Sequence, residues 1–95
     1  MSRRIEELKE AIRREHRCEP VHARSEPLRE MSGKELVWEG IVEVFELKGH
    51  PVTRCCFAWF YTTAGLERHV TMLQIPPATS PHMAVRTALA TGKQR

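Results

Sequence analysis

Residues Thr53–Thr63 read TRCCFAWFYTT, and the fold turns on how this stretch is taken. Side chains of a strand alternate between two faces, so Cys55, Phe57, Trp59 and Tyr61 share one side while Cys56, Ala58 and Phe60 share the other. Both sides are apolar. A chain of 95 residues buries only about 60–70% of its unfolded surface, which makes two layers the expected limit. A second apolar face then asks for a cover from outside the chain.

The flanking segments extend the sheet. Leu36–Leu47, LVWEGIVEVFEL, has the Val, Ile, Trp and Phe content of a strand, with Glu39 and Glu43 holding one face partly to water. Gly40 inside it marks a bulge or a close backbone approach. The turn KGHP leads into the opening stretch, and TTAG leads out of it into LERHVTMLQI, a further strand with Val70, Met72, Leu73 and Ile75. Before these, Val21, Ala23 and Leu28 suggest a short strand that Pro20 and Pro27 confine to a sheet edge, ended by the turn MSGKE.

Helices are expected at both ends. In Arg3–Arg17 the residues Ile5, Leu8 and Ile12 recur at helical spacing, and Ser2 suits the cap. Near the C-terminus, Ser80 suits an N-cap, Pro81 the first turn and Gly92 the stop of a helix with the small stripe Ala84, Val85, Ala88 and Leu89. Residues 1–2 and 92–95 are expected to fray. The expected fold is one small α+β domain: a three- to four-stranded antiparallel meander with the two helices packed side by side on one face.

Parity then divides the strands. Leu36, Trp38, Val42 and Val44, with Cys56, Ala58 and Phe60 and with Val70 and Met72, make a nearly pure apolar set suited to lie under the helices. Glu39, Ile41, Glu43 and Phe45, with Cys55, Phe57, Trp59 and Tyr61 and with His69, Thr71 and Leu73, make a mixed set. This mixed face is expected to be exposed and to serve self-association, as a homodimer, or a protein partner. Phe57, Trp59 and Tyr61 are its anchors, and Glu39, Glu43 and His69 its polar rim.

Composition excludes other classes more firmly than it names one. With 41% apolar and 28% charged residues the chain is of ordinary globular type. No apolar run approaches the roughly 18 residues of a membrane span, and the charged start MSRRIEELKEAIRREHR lacks the apolar centre of a signal peptide, so a cytoplasmic location without membrane contact is expected. Three cysteines, two of them adjacent, point to reduced, packed thiols. The net charge of +3, from 15 basic and 12 acidic residues interleaved along the chain, is a weak footprint for nucleic acid.

Catalytic signatures are lacking. His16, Cys18 and His22 are metal-ligand types without metal-site spacing, and neither metal nor cofactor is expected. Glu39 and Glu43 lie about 13 Å apart on one strand face, too far to act as a carboxylate pair. His69 has no partner that the sequence identifies. No catalytic residue is assigned, and a binding role is favoured over an enzymatic one. The alternative is RNA binding, because helix, three strands and helix is also the order of the double-stranded-RNA-binding domain, whose second half GHPVTRCCFAWFY…SPHMAVRTALA resembles loosely. Arg13, Arg14 and Arg17 on the first helix and Arg86 on the last would then meet phosphates, although SPHMAVR lacks the lysines which that domain places at the start of its last helix.

The segments VWEGIVEVF, GHP, FAW, RHVTML and SPHMAVRTAL, spread over Val37–Leu89, also resemble a group of small bacterial proteins of uncharacterised function. The resemblance implies a shared small α+β fold and carries over no activity, cofactor or site residue.

Overall fold

The computed structural model describes Arg3–Gln94; Ser2, expected to cap the first helix, lies outside the described residues, as do Met1 and Arg95. The chain runs α1 (Arg3–His16), β1 (Glu19–Ser32), β2 (Glu35–Lys48), β3 (Cys55–Thr63), β4 (Leu66–Leu73) and α2 (Pro81–Thr91). The four strands form one antiparallel sheet in the order β1-β2-β3-β4, the expected meander flanked by the two helices. β1 is longer than expected, 14 residues, because it pairs along the whole of β2; as an edge strand it accommodates Pro20 and Pro27.

Local chemistry sets the boundaries. α1 stops where Arg17 takes the left-handed φ of 52°. α2 begins at Ser80, whose hydroxyl accepts from the Met83 N–H at 3.2 Å, follows with Pro81 and ends at Gly92 with φ 81°. The two-residue turn between β3 and β4 places Ala64 and Gly65 at φ 51° and 76°, the sense that matches strand twist in a tight hairpin.

The helices do not share a face. Paired residues of neighbouring strands point to the same side, and the register sets Val44 beside Phe57 and Phe57 beside Met72, while Phe45 lies beside Cys56 and Cys56 beside Leu73. On the first side, Val42, Val44, Phe57, Trp59 and Val70 pack with Ala84, Val85 and Ala88 of α2. On the other, Phe45, Leu47, Cys56 and Ala58 pack with Leu8 and Ile12 of α1. Three layers result, helix, sheet and helix, and each apolar face of β3 is covered by the chain's own helix.

The expected exposed aromatic row is therefore not formed. Phe57 and Trp59 are fully buried under α2, and the side expected to be core, Cys56, Ala58 and Phe60, faces α1. Of the strands sorted by parity, only β3 is matched to the wrong partners, and that single exchange inverts the surface. Leu36, placed with the core by parity, is 52% exposed, because the register slips between Met31–Leu36 and Glu30–Trp38 and leaves Val37 as the extra residue. A second slip leaves Ala23 extra in β1. Gly40 itself carries no bulge: it pairs with Leu28, and a side chain there would meet the Trp38 indole at 2.6 Å.

The segment after α2 is held in place. Trp59 Nε1–H donates to Gln94 Oε1 at 2.9 Å, Gln94 N–H reaches the Ala88 carbonyl at 3.2 Å, and the Tyr61 hydroxyl donates to the Lys93 carbonyl at 3.3 Å. Gln94 is buried, in contrast to the fraying expected of residues 92–95.

Candidate functional site

β2 and β3 pair only from Glu43–Ala58 to Glu46–Cys55. If their register continued, Ile41 would oppose Phe60, Gly40 would oppose Tyr61 and Glu39 would oppose Thr62. Instead the strands diverge, β2 staying with β1 and β3 with β4, so that the sheet opens into a fork. Those same unpaired residues, Glu39, Gly40 and Ile41 on one arm and Phe60, Tyr61 and Thr62 on the other, line a cleft of about 640 Å³, within the usual range for ligand sites. Trp38 leans over Gly40 and meets Trp59 at a ring separation of 6.3 Å. From the α1 side, Leu8 reaches the cleft, and the Arg4 guanidinium lies 4.1 Å above the Phe60 ring.

The charges around the fork are mostly paired. Arg4 Nη1 donates to both carboxylate oxygens of Glu67, at 3.1 and 2.9 Å, and Arg29 donates to Glu39 across the β1–β2 pair. Glu43 is less exposed; its Oε1 meets His22 Nε2 at 2.8 Å and accepts from the Ser25 hydroxyl. Here the carboxylate stands between serine and histidine, so Ser25 has no imidazole base and the trio is not set out for acyl transfer. Of the expected anchors and rim, the fork brings together Tyr61, Glu39 and Glu43; Phe57 and Trp59 lie in the core, and His69 belongs elsewhere.

His69 finds its partner on α1. Its Nε2 lies 3.0 Å from Glu15 Oε2, while the Thr71 hydroxyl donates to Glu15 Oε1 at 2.7 Å. That proton is therefore committed, and His16 Nε2, 2.8 Å from Thr71 Oγ1, is the donor in their contact. Burial lowers the His16 pKa, with Lys93 and the neighbouring His50 acting in the same direction against the attraction of Glu15. Burial works to raise the Glu15 pKa, but the hydrogen bonds from Thr71 and His69 and the nearby histidines outweigh it, and the net movement is downward. Thr71 is 2% exposed, so the network fastens α1 to β4 and does not present a nucleophile.

The other candidate groups are dispersed. His16 bonds Thr71, Cys18 packs under α1 and His22 bonds Glu43, so the three do not meet. Burial pushes the Cys56 thiol up to about 12 and raises Cys18 and Cys55 as well, the opposite of an activated cysteine. Arg13 is held by Glu10 and Glu19, and Arg86 by Glu30. Glu19 and Glu30 stand eleven residues apart on β1, about 36 Å at ordinary strand rise. The helix carrying Arg13 and Arg14, with Arg17 just past its end, and the helix carrying Arg86 lie on opposite faces of the sheet, so these cations do not make one continuous surface. No helix among the described residues is long and apolar enough to cross a membrane.

Arg4, Trp38, Phe60 and Glu67 of the fork, and Glu15, His16 and Thr71 of the network, are absent from the expected sites. Both sites join α1 to the β3–β4 hairpin through contacts between residues 54 or more positions apart in the chain, and no local spacing signals that meeting. Compared with family models, with curated protein sequences and with solved structures, the chain matches none.

Proposed function

We propose that this chain is a small cytoplasmic protein-binding module that accepts an extended segment of a partner in the fork of its sheet. The carrying observation is the loss of β2–β3 pairing beyond Glu43–Ala58, which leaves two strand edges facing each other across the cleft. Strand edges present unpaired backbone donors and acceptors, and an extended peptide is the ligand that matches them. Because β2 and β3 are antiparallel, one inserted strand runs antiparallel to one arm and parallel to the other. Its alternating side chains would meet Leu8, Ile41 and Phe60 on the α1 side and Trp38 and Tyr61 on the α2 side.

A short peptide of alternating valine and threonine, titrated into isotopically labelled protein, tests this reading. Amide resonances of Trp38–Ile41 and Phe60–Thr62 are expected to move, and N-methylation of alternate peptide nitrogens is expected to abolish the effect. Shifts confined to other surfaces, or an equal response to the methylated peptide, would sink the proposal.

A further inference from the structure

We propose that the fork contains a cation subsite, at present filled by Arg4, and that the partner strand carries an arginine that takes its place. The inference rests on the strand-accepting reading and specifies the side chain recognised. The subsite is made by the face of Phe60 and the carboxylate of Glu67. Glu67 pairs with Thr62 and His69 with Phe60 across the β3–β4 hairpin, so the ring and the carboxylate flank one another on the α1 side of the sheet. A strand laid along β3 would place alternate side chains on that same side, beside Phe60 and Thr62.

Arg4 shows what chemistry the subsite accepts, and also that it is held weakly. Only Nη1 reaches Glu67, so the two-nitrogen grip typical of a strong guanidinium–carboxylate pair is not made. The Arg4 and Glu67 side chains are 57% and 48% exposed, where an ion pair contributes little. A guanidinium over an exposed ring adds another modest attraction. Deeper in the cleft, Glu43 supplies a second carboxylate; among the described residues no lysine or arginine pairs with it, its donors being His22 and Ser25. The lining therefore favours a cation over an anion or a neutral side chain, and Arg4 acts as an internal competitor that a better-anchored arginine displaces.

The test uses the valine–threonine peptide with a central arginine and the same peptide with central citrulline, which keeps the shape and removes the charge. Against Arg4→Gln the arginine peptide is expected to bind about threefold to thirtyfold tighter than the citrulline peptide, the value of one exposed ion pair plus one cation–aromatic contact, and against the native protein by a smaller factor, because displacing Arg4 gives up the same two contacts. Arg4→Gln is therefore expected to tighten the arginine peptide, and Glu67→Gln to remove the preference. Equal binding of the two peptides to both native protein and Arg4→Gln would overturn the cation subsite and leave strand acceptance standing. An Arg4→Gln protein that binds the arginine peptide no better than the native one would overturn displacement. If neither peptide moves the fork amides in any variant, strand acceptance itself fails.

Discussion

Replacing Trp59 by phenylalanine tests whether residues after α2 act as a clasp on the core. Trp59 is completely buried, and its indole N–H donates to the Gln94 amide oxygen at 2.9 Å in a place where Gln94 is only 6% exposed. Trp59→Phe keeps an aromatic ring in the α2 layer but strands the buried Gln94 oxygen, at a cost of about 1–3 kcal/mol. The smaller ring adds about 1 kcal/mol where the surroundings do not relax. Gln94→Leu alone strands the indole N–H, again at about 1–3 kcal/mol. With both changes made, no unpaired polar group is left, so the double variant should be more stable than the sum predicts by about 1–2 kcal/mol. Urea unfolding followed by far-ultraviolet circular dichroism gives the four stabilities, and a total of about 5–15 kcal/mol leaves room to measure each. Coupling below about 0.5 kcal/mol, the additivity expected of independent sites, would refute the clasp.

Acid should loosen the attachment of α1. His16 binds a proton less readily in the fold than at its ordinary 6.5, so below that pH the unfolded chain takes up more protons and stability falls; Glu15, lowered from 4.5, adds a further loss at lower pH. Urea midpoints should be nearly constant just above neutrality and decline below about pH 6.5, and His16→Gln should remove the first decline; an unchanged profile would contradict it. At the β3–β4 turn, Ala64 holds a φ of 51°, which costs about 1–2 kcal/mol for a residue with a Cβ. Ala64→Asn, which tolerates that conformation before Gly65, should stabilise by about 0.5–1 kcal/mol and raise the thermal midpoint by about 2–8 °C, and a lowered midpoint would count against the turn geometry.

The covered second face of β3 changes what kind of surface this protein has. Because α1 and α2 take opposite sides, Phe57 and Trp59, two of the three aromatic side chains that suggested an interface, pack in the core instead, and the place open to a partner moves to an edge, where Tyr61 remains. That edge exists because β1–β2 is a long hairpin and β3–β4 a short one, joined over four residue pairs. The exposed apolar residues Leu36, Val37 and Ile41 lie on the long arm, beside the fork.

By itself the sequence determined what is local. Ser80, Pro81 and Gly92 bound α2 through a cap, a fixed φ and a left-handed stop; Pro20 and Pro27 placed β1 at an edge; the β-branched and aromatic runs marked the strands and their order. The period of two also sorted each strand into its two faces correctly where no bulge intervened. It did not say which face of one strand meets which face of the next, since that choice is binary at every pairing and β3 is apolar on both sides. Only tertiary structure decided it, through a register that puts Phe57 beside Val44 and through two helices that cover opposite faces. The Glu15–Thr71–His69 network, the Trp59–Gln94 bond and the fork joining Arg4, Phe60 and Glu67 were equally closed to inspection of the chain. Each unites residues 35 or more positions apart, where neither propensity nor periodicity reaches.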